Sequence, residues 1–270
     1  MTNTSWRFIN TGHLDAATNM AIDEVISQFS VPRDNKPVLR VYGWEPYAIS
    51  LGYNQDENDV DLEKCQEDGI DVVRRPTGGR AVFHAEEVTY SFSIPKSFPY
   101  FDFDTLSVYN IISEGLVEGL KSIGIPAVLQ EKPSENFGEY HHQFPCFSSS
   151  ARYEVACQGK KLIGSAQRRF ENSILQHGSI LLGIEHLKIG DYISDSKSID
   201  LNSFTKELYR RTISIAQINP AVKKFDKVVW GIKNGFQRRF QIQFLEGQLT
   251  PQEWQEVQKL TGKYKQFRRV

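Results

Sequence analysis

Cysteine is scarce in this chain: it occurs three times, at Cys65, Cys146 and Cys157, an odd number at irregular spacing. That pattern excludes a disulfide framework and a structural zinc site, and points to a reducing, cytosolic setting. Long apolar runs are missing too. Nothing approaches the ~18 residues needed to cross a bilayer, so no membrane partner is expected. The segment Met1 to Asn10 is polar, with Trp6 and Phe8 alternating, and does not read as a signal peptide. No internal repeat or low-complexity tract interrupts the chain, and no excess of one charge marks it. A formal net charge of −1 argues against a dedicated nucleic-acid binder, although 32 Lys and Arg residues leave room for a local basic patch. With 40% hydrophobic and 24% charged residues over 270 positions, the composition is that of a soluble globular protein. The length suits one large domain, or a domain with a small appendage, and allows a substantial core.

Hydrophobic periodicity organises the chain. Trp6 to Ile9 reads as a short strand, and Asp15 to Phe29 as an amphipathic helix carrying Ala17, Ala21, Val25 and Phe29 at i, i+4 spacing. Val38 to Tyr42 and Ala48 to Tyr53 are strands around a Gly43-Trp44-Glu45-Pro46 turn. A short helix, Val60 to Glu67, precedes the strand Ile70 to Val73. Thr89 to Ile94 is a further strand. Thr105 to Ile123 is a helix with Tyr109, Ile112, Leu116, Leu120 and Ile123 on one face, ended by Gly124 and Pro126. Residues 131–150 form a polar loop, followed by three strands, Tyr153 to Gln158, Lys161 to Arg168 and Ile174 to Leu182. From about residue 186 the character turns helical, and Thr250-Pro251-Gln252-Glu253 is a capping box opening the last helix. A strand-rich first two thirds and a helical end read as an α+β fold.

The most informative segment is Arg74-Arg75-Pro76-Thr77-Gly78-Gly79-Arg80-Ala81-Val82-Phe83-His84. Two adjacent glycines permit φ > 0 and close approach of bare N–H groups to a ligand, with flanking arginines supplying positive charge. Taken alone, Gly-Gly would suit an ordinary hairpin turn. A second informative region surrounds Cys146, at the end of the polar loop in Phe144-Pro145-Cys146-Phe147, where a rigid sheet could hold a reactive group. Cys65, in a charged helix, and Cys157, in a regular strand, suit small core fillers. A free thiol with pKa ~8.5 is only a few per cent thiolate at neutral pH, so a nucleophilic cysteine needs an activator. His141, His142 and Lys161 are the candidates near Cys146. An ammonium at contact distance could supply the required ~2 kcal/mol, but spacing does not separate Lys161 from its neighbour Lys160.

The Arg74–His84 segment resembles the signature of the biotin/lipoate protein ligase and octanoyltransferase superfamily. So do Asn19-Met20-Ala21-Ile22-Asp23-Glu24 and Tyr42-Gly43-Trp44-Glu45-Pro46. The run through Cys146-Phe147, Gln158 to Gln167 and Leu175 to Leu182 is similar to the cysteine-dependent octanoyltransferases. The resemblance spans about residues 5–185 and implies a mixed sheet flanked by helices, like that of the class II aminoacyl-tRNA synthetases and biotin ligases, with a helical C-terminal tail. It implies a catalytic core over 1–185, a helical extension over 186–270 packed on that core, and a family domain of about 33–245. In that family the cysteine matching Cys146 is acylated, and the lysine matching Lys161 lowers its pKa and faces the acyl carbonyl. Arg74, Gly78, Gly79, Arg80, His84, Gly164, Ser165, Ala166, His177 and Gly178 are the corresponding substrate-binding positions.

Three functions compete on this reading. The first is an octanoyltransferase independent of ATP, the second an ATP-dependent lipoate–protein ligase, and the third a non-catalytic carrier-binding module. Ligases usually carry a third glycine where Arg80 stands and Asp-x-Gly-Asn where this chain has Ala85-Glu86-Glu87-Val88. Ala85 also departs from the acidic residue common after His84 in the wider family. The expectation is therefore the transferase, a monomer using neither metal nor cofactor. Its donor is octanoyl-acyl carrier protein and its acceptor a lysine on a lipoyl carrier domain, either glycine cleavage H protein or a 2-oxoacid dehydrogenase E2. His84 or a water would take the acceptor lysine's proton. Full burial of an eight-carbon chain is worth roughly 5 kcal/mol at ~0.8 kcal/mol per methylene, and Val73, Val82, Tyr90 and Ile163 could line its slot.

Overall fold

The computed structural model describes residues 5–131, 153–194 and 200–265. Cys146, with His141 and His142, lies outside them. Strand β1 (Ser5–Leu14) leads into helix α1 (Ala16–Val25), whose N-terminus is capped by Asp15 accepting from the Thr18 amide. The helical path continues through a π-turn, Ile26–Ser30, into α2 (Val31–Asp34). Then come β2 (Val38–Trp44), β3 (Ala48–Leu51), α3 (Leu62–Glu67), β4 (Asp71–Arg74), β5 (Val82–His84) and β6 (Glu87–Pro95). Helix α4 (Thr105–Ser122) precedes β7 (Val128–Glu131), β8 (Tyr153–Cys157), β9 (Lys160–Arg169) and β10 (Ser173–Leu181). The last third holds α5 (Leu201–Arg211), α6 (Ile215–Ile218), α7 (Phe225–Phe240), β11 (Gln243–Gly247) and α8 (Pro251–Tyr264). None of the described helices is long and apolar enough to cross a membrane.

Eight strands form one mixed sheet in the order β11-β1-β2-β6-β10-β9-β8-β7, and β3 pairs with β4 and β5 in a small second sheet. The α+β expectation holds, with one local difference. The segment after residue 186 is not purely helical, because β11 adds to the large sheet in parallel beside β1. Gln243-Phe244-Leu245 is too short to show a period of its own, and a single strand of this length gains its stability from the edge it joins.

Strand β6 shows how the large sheet is used. Val88, Tyr90, Phe92 and Ile94 alternate with Thr89, Ser91 and Ser93, and all seven are buried. Alternation therefore does not separate core from solvent here; it separates an apolar face from a polar face that is also covered. The apolar side packs with Leu39 and Val41 of β2 against α4 and α7. Over the polar side lie α1, α8 and the small sheet.

Helices α4 and α7 approach through paired glycines, Gly115 and Gly119 on one and Gly231 and Gly235 on the other. A Cβ on Gly235 would lie 2.2 Å from the Gly119 backbone nitrogen and 2.3 Å from the Gly115 carbonyl oxygen, so neither helix has room for a methyl group. Gly235→Ala should force the helices apart and lower unfolding stability by about 1–3 kcal/mol, measurable by urea denaturation. A variant as stable as wild type would show that the contact tolerates separation.

Candidate active site

The polar face of the large sheet supplies the floor of the site as cross-strand rows. Tyr42 of β2 pairs with Thr89 of β6, Thr89 with Ser179 of β10, and Ser179 with Gly164 of β9. The next row runs Arg40, Ser91, His177, Ala166. Helix α1 covers these rows with Asn19 and Asp23, four residues apart on its buried face. Asp23 and Arg40 are both fully buried and paired at 2.7 Å. Arg40 also donates to the Asn19 carbonyl at 3.0 Å and the Asn19 side-chain oxygen at 2.6 Å. The Tyr42 hydroxyl donates to the other Asp23 oxygen at 2.9 Å, and His177 Nδ1 reaches the same oxygen at 3.0 Å.

This network fixes the state of His177. Burial alone would raise the Asp23 pKa, but Arg40 and the hydrogen bond from His177 outweigh it and hold the carboxyl below its ordinary value. Burial drives the His177 pKa down, and the positive charge of Arg75 adds to that, against the partial support of Asp23. His177 is thus a neutral imidazole with its proton on Nδ1, directed at Asp23. Nε2 then accepts from the Thr77 hydroxyl at 2.6 Å, which ties the start of the glycine loop to the sheet.

The loop itself is wrapped around Arg75. Its guanidinium donates to the carbonyls of Ser50, Gly78 and Arg80, each at 2.8 Å, and to Ser50 Oγ at 3.0 Å. Gly79 has φ of 95°, a conformation an L side chain rarely adopts, and a Cβ there would stand 2.7 Å from an Arg75 nitrogen. A second histidine braces the far end. His84 Nδ1 lies 2.9 Å from Glu87 Oε1, its Nε2 lies 2.7 Å from Ser50 Oγ, and its ring stacks on Trp44 at 4.1 Å. Glu87 Oε1 also accepts from Ser179 Oγ at 2.9 Å and from Trp44 Nε1 at 3.2 Å.

Between loop and floor runs a narrow cleft of about 60 Å³. It collects Gly79, Arg80, His84, Lys161, Gly164, Ser165, Ala166, His177 and Gly178 from the residues expected in the sequence. Two expected residues lie elsewhere. Gly78 turns its carbonyl to Arg75, and Arg74 stands on the outer side of the loop, donating to the carbonyls of Gly52 and Gln55 at 3.0 and 2.6 Å. Of the four residues suggested for an acyl slot, Val82 lines the cleft, while Val73, Tyr90 and Ile163 belong to the packed core. Met20 and Trp44 supply further apolar lining.

Lys161 and Lys160 are separated clearly. Lys160 lies over the Tyr209 ring at 5.3 Å, whereas Lys161 reaches the cleft and pairs with Glu154 of β8 at 2.7 Å, both side chains being largely buried. The Lys161 backbone carbonyl accepts from the Ile213 amide at 3.0 Å, so the C-terminal segment helps to seat it. Cys65 and Cys157 are buried in the core; burial pushes the Cys65 thiol up to about 12 and raises that of Cys157 as well. Neither is disposed to form a thiolate.

Asp23, Arg40, Ser50, Thr77, Glu87 and Glu154 belong to this site although sequence reasoning did not single them out, and Arg75, expected only as flanking charge, proves to be the loop's centre. A signal existed for some of them. Arg40 interrupts Val38-Leu39-Arg40-Val41-Tyr42, Glu154 sits in Tyr153-Glu154-Val155-Ala156-Cys157, and Asp23 follows Asn19 at helical spacing among alanines and isoleucines. A charge inside an apolar period must find a partner when the element is buried.

Residues 15–237 match the lipoyl protein ligase A/B catalytic domain. The chain is 39% identical over 263 residues to octanoyltransferase LipM of Clostridioides difficile, covering 96% of each protein. It is 34% identical over 271 residues to octanoyltransferase LipM of an Exiguobacterium species, covering 98% of this chain and 97% of that protein. Among solved structures it superposes on lipoate-protein ligase A bound with ATP with a TM-score of 0.77 at 22% identity, covering 96% of this chain and 95% of that one. A structure from an archaeal lipoylation system, described as a bipartite lipoate protein ligase and its E2 lipoyl domain from Thermoplasma acidophilum, gives a TM-score of 0.76 at 21% identity, with 96% and 93% covered. At such identities the structural likeness shows the fold.

The neutral His177 has a consequence for acid stability. Its folded pKa lies below the ordinary value of ~6.5, so the unfolded chain binds a proton that the folded chain refuses. The stability is complete above about pH 6.5 and declines as pH falls from there toward the folded pKa. His186, which burial lowers to about 4, adds to the same decline. Thermal unfolding followed from pH 8 to 4.5 should show a shallower decline for His177→Gln than for wild type, from a lower starting midpoint. Parallel profiles would mean that His177 is not held neutral.

Proposed function

The chain belongs to the lipoyl protein ligase A/B catalytic-domain family and is an octanoyltransferase of protein lipoylation, and we propose that it works by double displacement through Cys146. The thiolate of Cys146 attacks the carbonyl of an octanoyl thioester borne by acyl carrier protein. The C–S bond to the carrier breaks, the carrier leaves as a thiol, and the octanoyl group is held on Cys146. A lysine amine of a lipoyl carrier domain, on H protein or an E2 subunit, then attacks the same carbonyl. Cys146 is released and an amide remains. Thioester exchange is close to isoenergetic and the amide lies downhill, so no nucleotide is consumed. A reducing cytosol suits a mechanism that depends on a free thiol.

The observation that carries this reading is Lys161 in the cleft, within a family whose full-length relatives are octanoyltransferases. Its ammonium can stabilise the thiolate and the oxyanion formed on the acyl carbonyl. Glu154 opposes that role, because a carboxylate 2.7 Å from Nζ already satisfies part of the charge. The cleft is polar at Lys161 and apolar along Met20, Trp44 and Val82, which suits a carbonyl at one end and a thin alkyl chain beyond it. The proton of the attacking amine has a defined route. Both nitrogens of His84 are engaged, by Glu87 and Ser50, so a proton enters through Ser50: Oγ accepts from the amine while passing its own hydrogen to His84 Nε2.

Incubation with octanoyl-carrier protein in the absence of ATP should add one octanoyl group to the protein, detected by intact mass and removed by neutral hydroxylamine. Cys146→Ser should lose the hydroxylamine-labile adduct. Transfer by Cys146→Ala at the wild-type rate would refute the mechanism. Iodoacetamide alkylation against pH reads the Cys146 pKa. Lys161→Gln should raise it by a unit or more, and Glu154→Gln should lower it by freeing the ammonium. If Glu154→Gln leaves the pKa unmoved while Lys161→Gln shifts it, the carboxylate does not restrain the lysine.

A further inference from the structure

A second groove opens on the outer side of the glycine loop. At about 350 Å³ it is far roomier than the cleft of about 60 Å³, and suits a hydrated head group rather than a thin chain. Among the described residues four cations line it, Arg74, Arg75, Arg168 and Lys263, against one carboxylate, Glu24. That carboxylate is already engaged by Lys263 at 2.8 Å and by the Tyr264 hydroxyl. Arg168, which engages two rings and a carbonyl, brings positive charge to this groove in a chain whose net charge is −1.

Arg168 is the one held chiefly by aromatic rings. Its guanidinium lies 4.2 Å from the Tyr53 ring centroid and 4.9 Å from that of Phe170, and NH1 donates to the Pro76 carbonyl at 2.7 Å. A planar cation held by two rings loses little entropy on engaging a tetrahedral oxyanion, which arginine recognises through its fork of donors. The groove continues the cleft rather than standing apart from it. Arg75 lines both, and Arg168 follows Ala166 of the cleft by two residues along β9, on the same face of the strand.

We infer that this groove seats the phosphodiester of the donor's pantetheine arm, with Arg168 as its principal contact. The inference rests on the carrier-bound thioester donor proposed above. The arm has thirteen chain atoms from ester oxygen to sulfur, a reach of roughly 15 Å, about that of four extended residues. Lys161 and Arg168 are seven residues apart on β9, about 23 Å at ~3.3 Å per residue. The arm, lengthened by the phosphoryl and carbonyl groups at its ends and by a hydrogen bond of about 3 Å at each, covers that span. A phosphate at Arg168 therefore leaves the thioester carbonyl beside Lys161 and the acyl chain within the cleft.

Three donors test it: octanoyl-carrier protein, octanoyl-phosphopantetheine, and octanoyl-pantetheine, which lacks the phosphate. Wild type should prefer octanoyl-phosphopantetheine over octanoyl-pantetheine by about tenfold or more in kcat/KM, the range of a charge-assisted hydrogen bond. Arg168→Gln should abolish most of that preference, and Arg168→Lys should keep part of it. If Arg168 merely braces Pro76, both small donors lose activity in proportion and the ratio stays at its wild-type value, which overturns the inference. A defect seen with the carrier protein but absent with octanoyl-phosphopantetheine also overturns it, because the groove would then read the carrier's surface. Failure of wild type with all three donors, alongside transfer from free octanoate and ATP, would instead remove the transferase mechanism on which the inference stands.

Discussion

The pairing of Asp23 with Arg40 inside the protein is the constraint from which the site is built. Two opposite charges at 2.7 Å, both withdrawn from water, are a costly arrangement whose partners cannot be removed singly; loss of one leaves the other uncompensated, at about 3–5 kcal/mol. The pair is also more than a contact between α1 and β2. By staying ionised, Asp23 orients the Tyr42 hydroxyl and holds His177 in one tautomer, and His177 in turn grips Thr77 at the root of the glycine loop. A helix, two strands and a loop are thereby set in register by one carboxylate. Pure apolar packing would tolerate small slips among these elements, whereas the hydrogen-bond angles of this network would not.

The loop is braced a second time through Glu87, His84 and Ser50, with Arg75 joining Ser50 to the carbonyls of Gly78 and Arg80. The two chains have the same form, an acid, a histidine and a hydroxyl. Backbone groups of a loop so fastened need little reorganisation when charge develops on a bound carbonyl, which is where preorganised sites gain most. Conformational permissiveness at Gly79 and rigidity at Arg75 are complementary: the first lets the chain take the turn, the second keeps it there.

Much of this was legible beforehand. The strands of the large sheet, the helices α1 and α4, the Thr250–Glu253 capping box and the cluster of cleft residues around Gly79, Lys161 and His177 follow from periodicity and motif. The reading faltered where a residue's meaning depends on what covers it. Thr89, Ser91 and Ser93 look like the solvent side of a half-buried strand, yet α1 and the small sheet enclose them. Glu154 stands out in an apolar strand, but its partner, Lys161, is visible only once β8 and β9 are paired. Arg74 and Arg75 are indistinguishable as neighbours in sequence, but strand alternation sends one outside the loop and the other into its centre. Strand β11 is too short to show a period, and the edge that stabilises it, β1, lies far away in the sequence.

That last pairing governs when the protein can acquire its shape. Strand β1 is flanked by β2 on one side and by β11 on the other, and Arg7 on β1 bonds to Glu253, 246 residues away. Glu253 also accepts from Ser30 Oγ at 2.5 Å, across 223 residues. On a ribosome, β1 emerges well before β11, and its outer edge stays open until β11 has been synthesised. Contacts of such separation are closed late and against a large loop entropy. Strand β1 is thus an exposed template over that interval, and the polar Ser5 and charged Arg7 at its start are suited to keep that edge from pairing with a stranger.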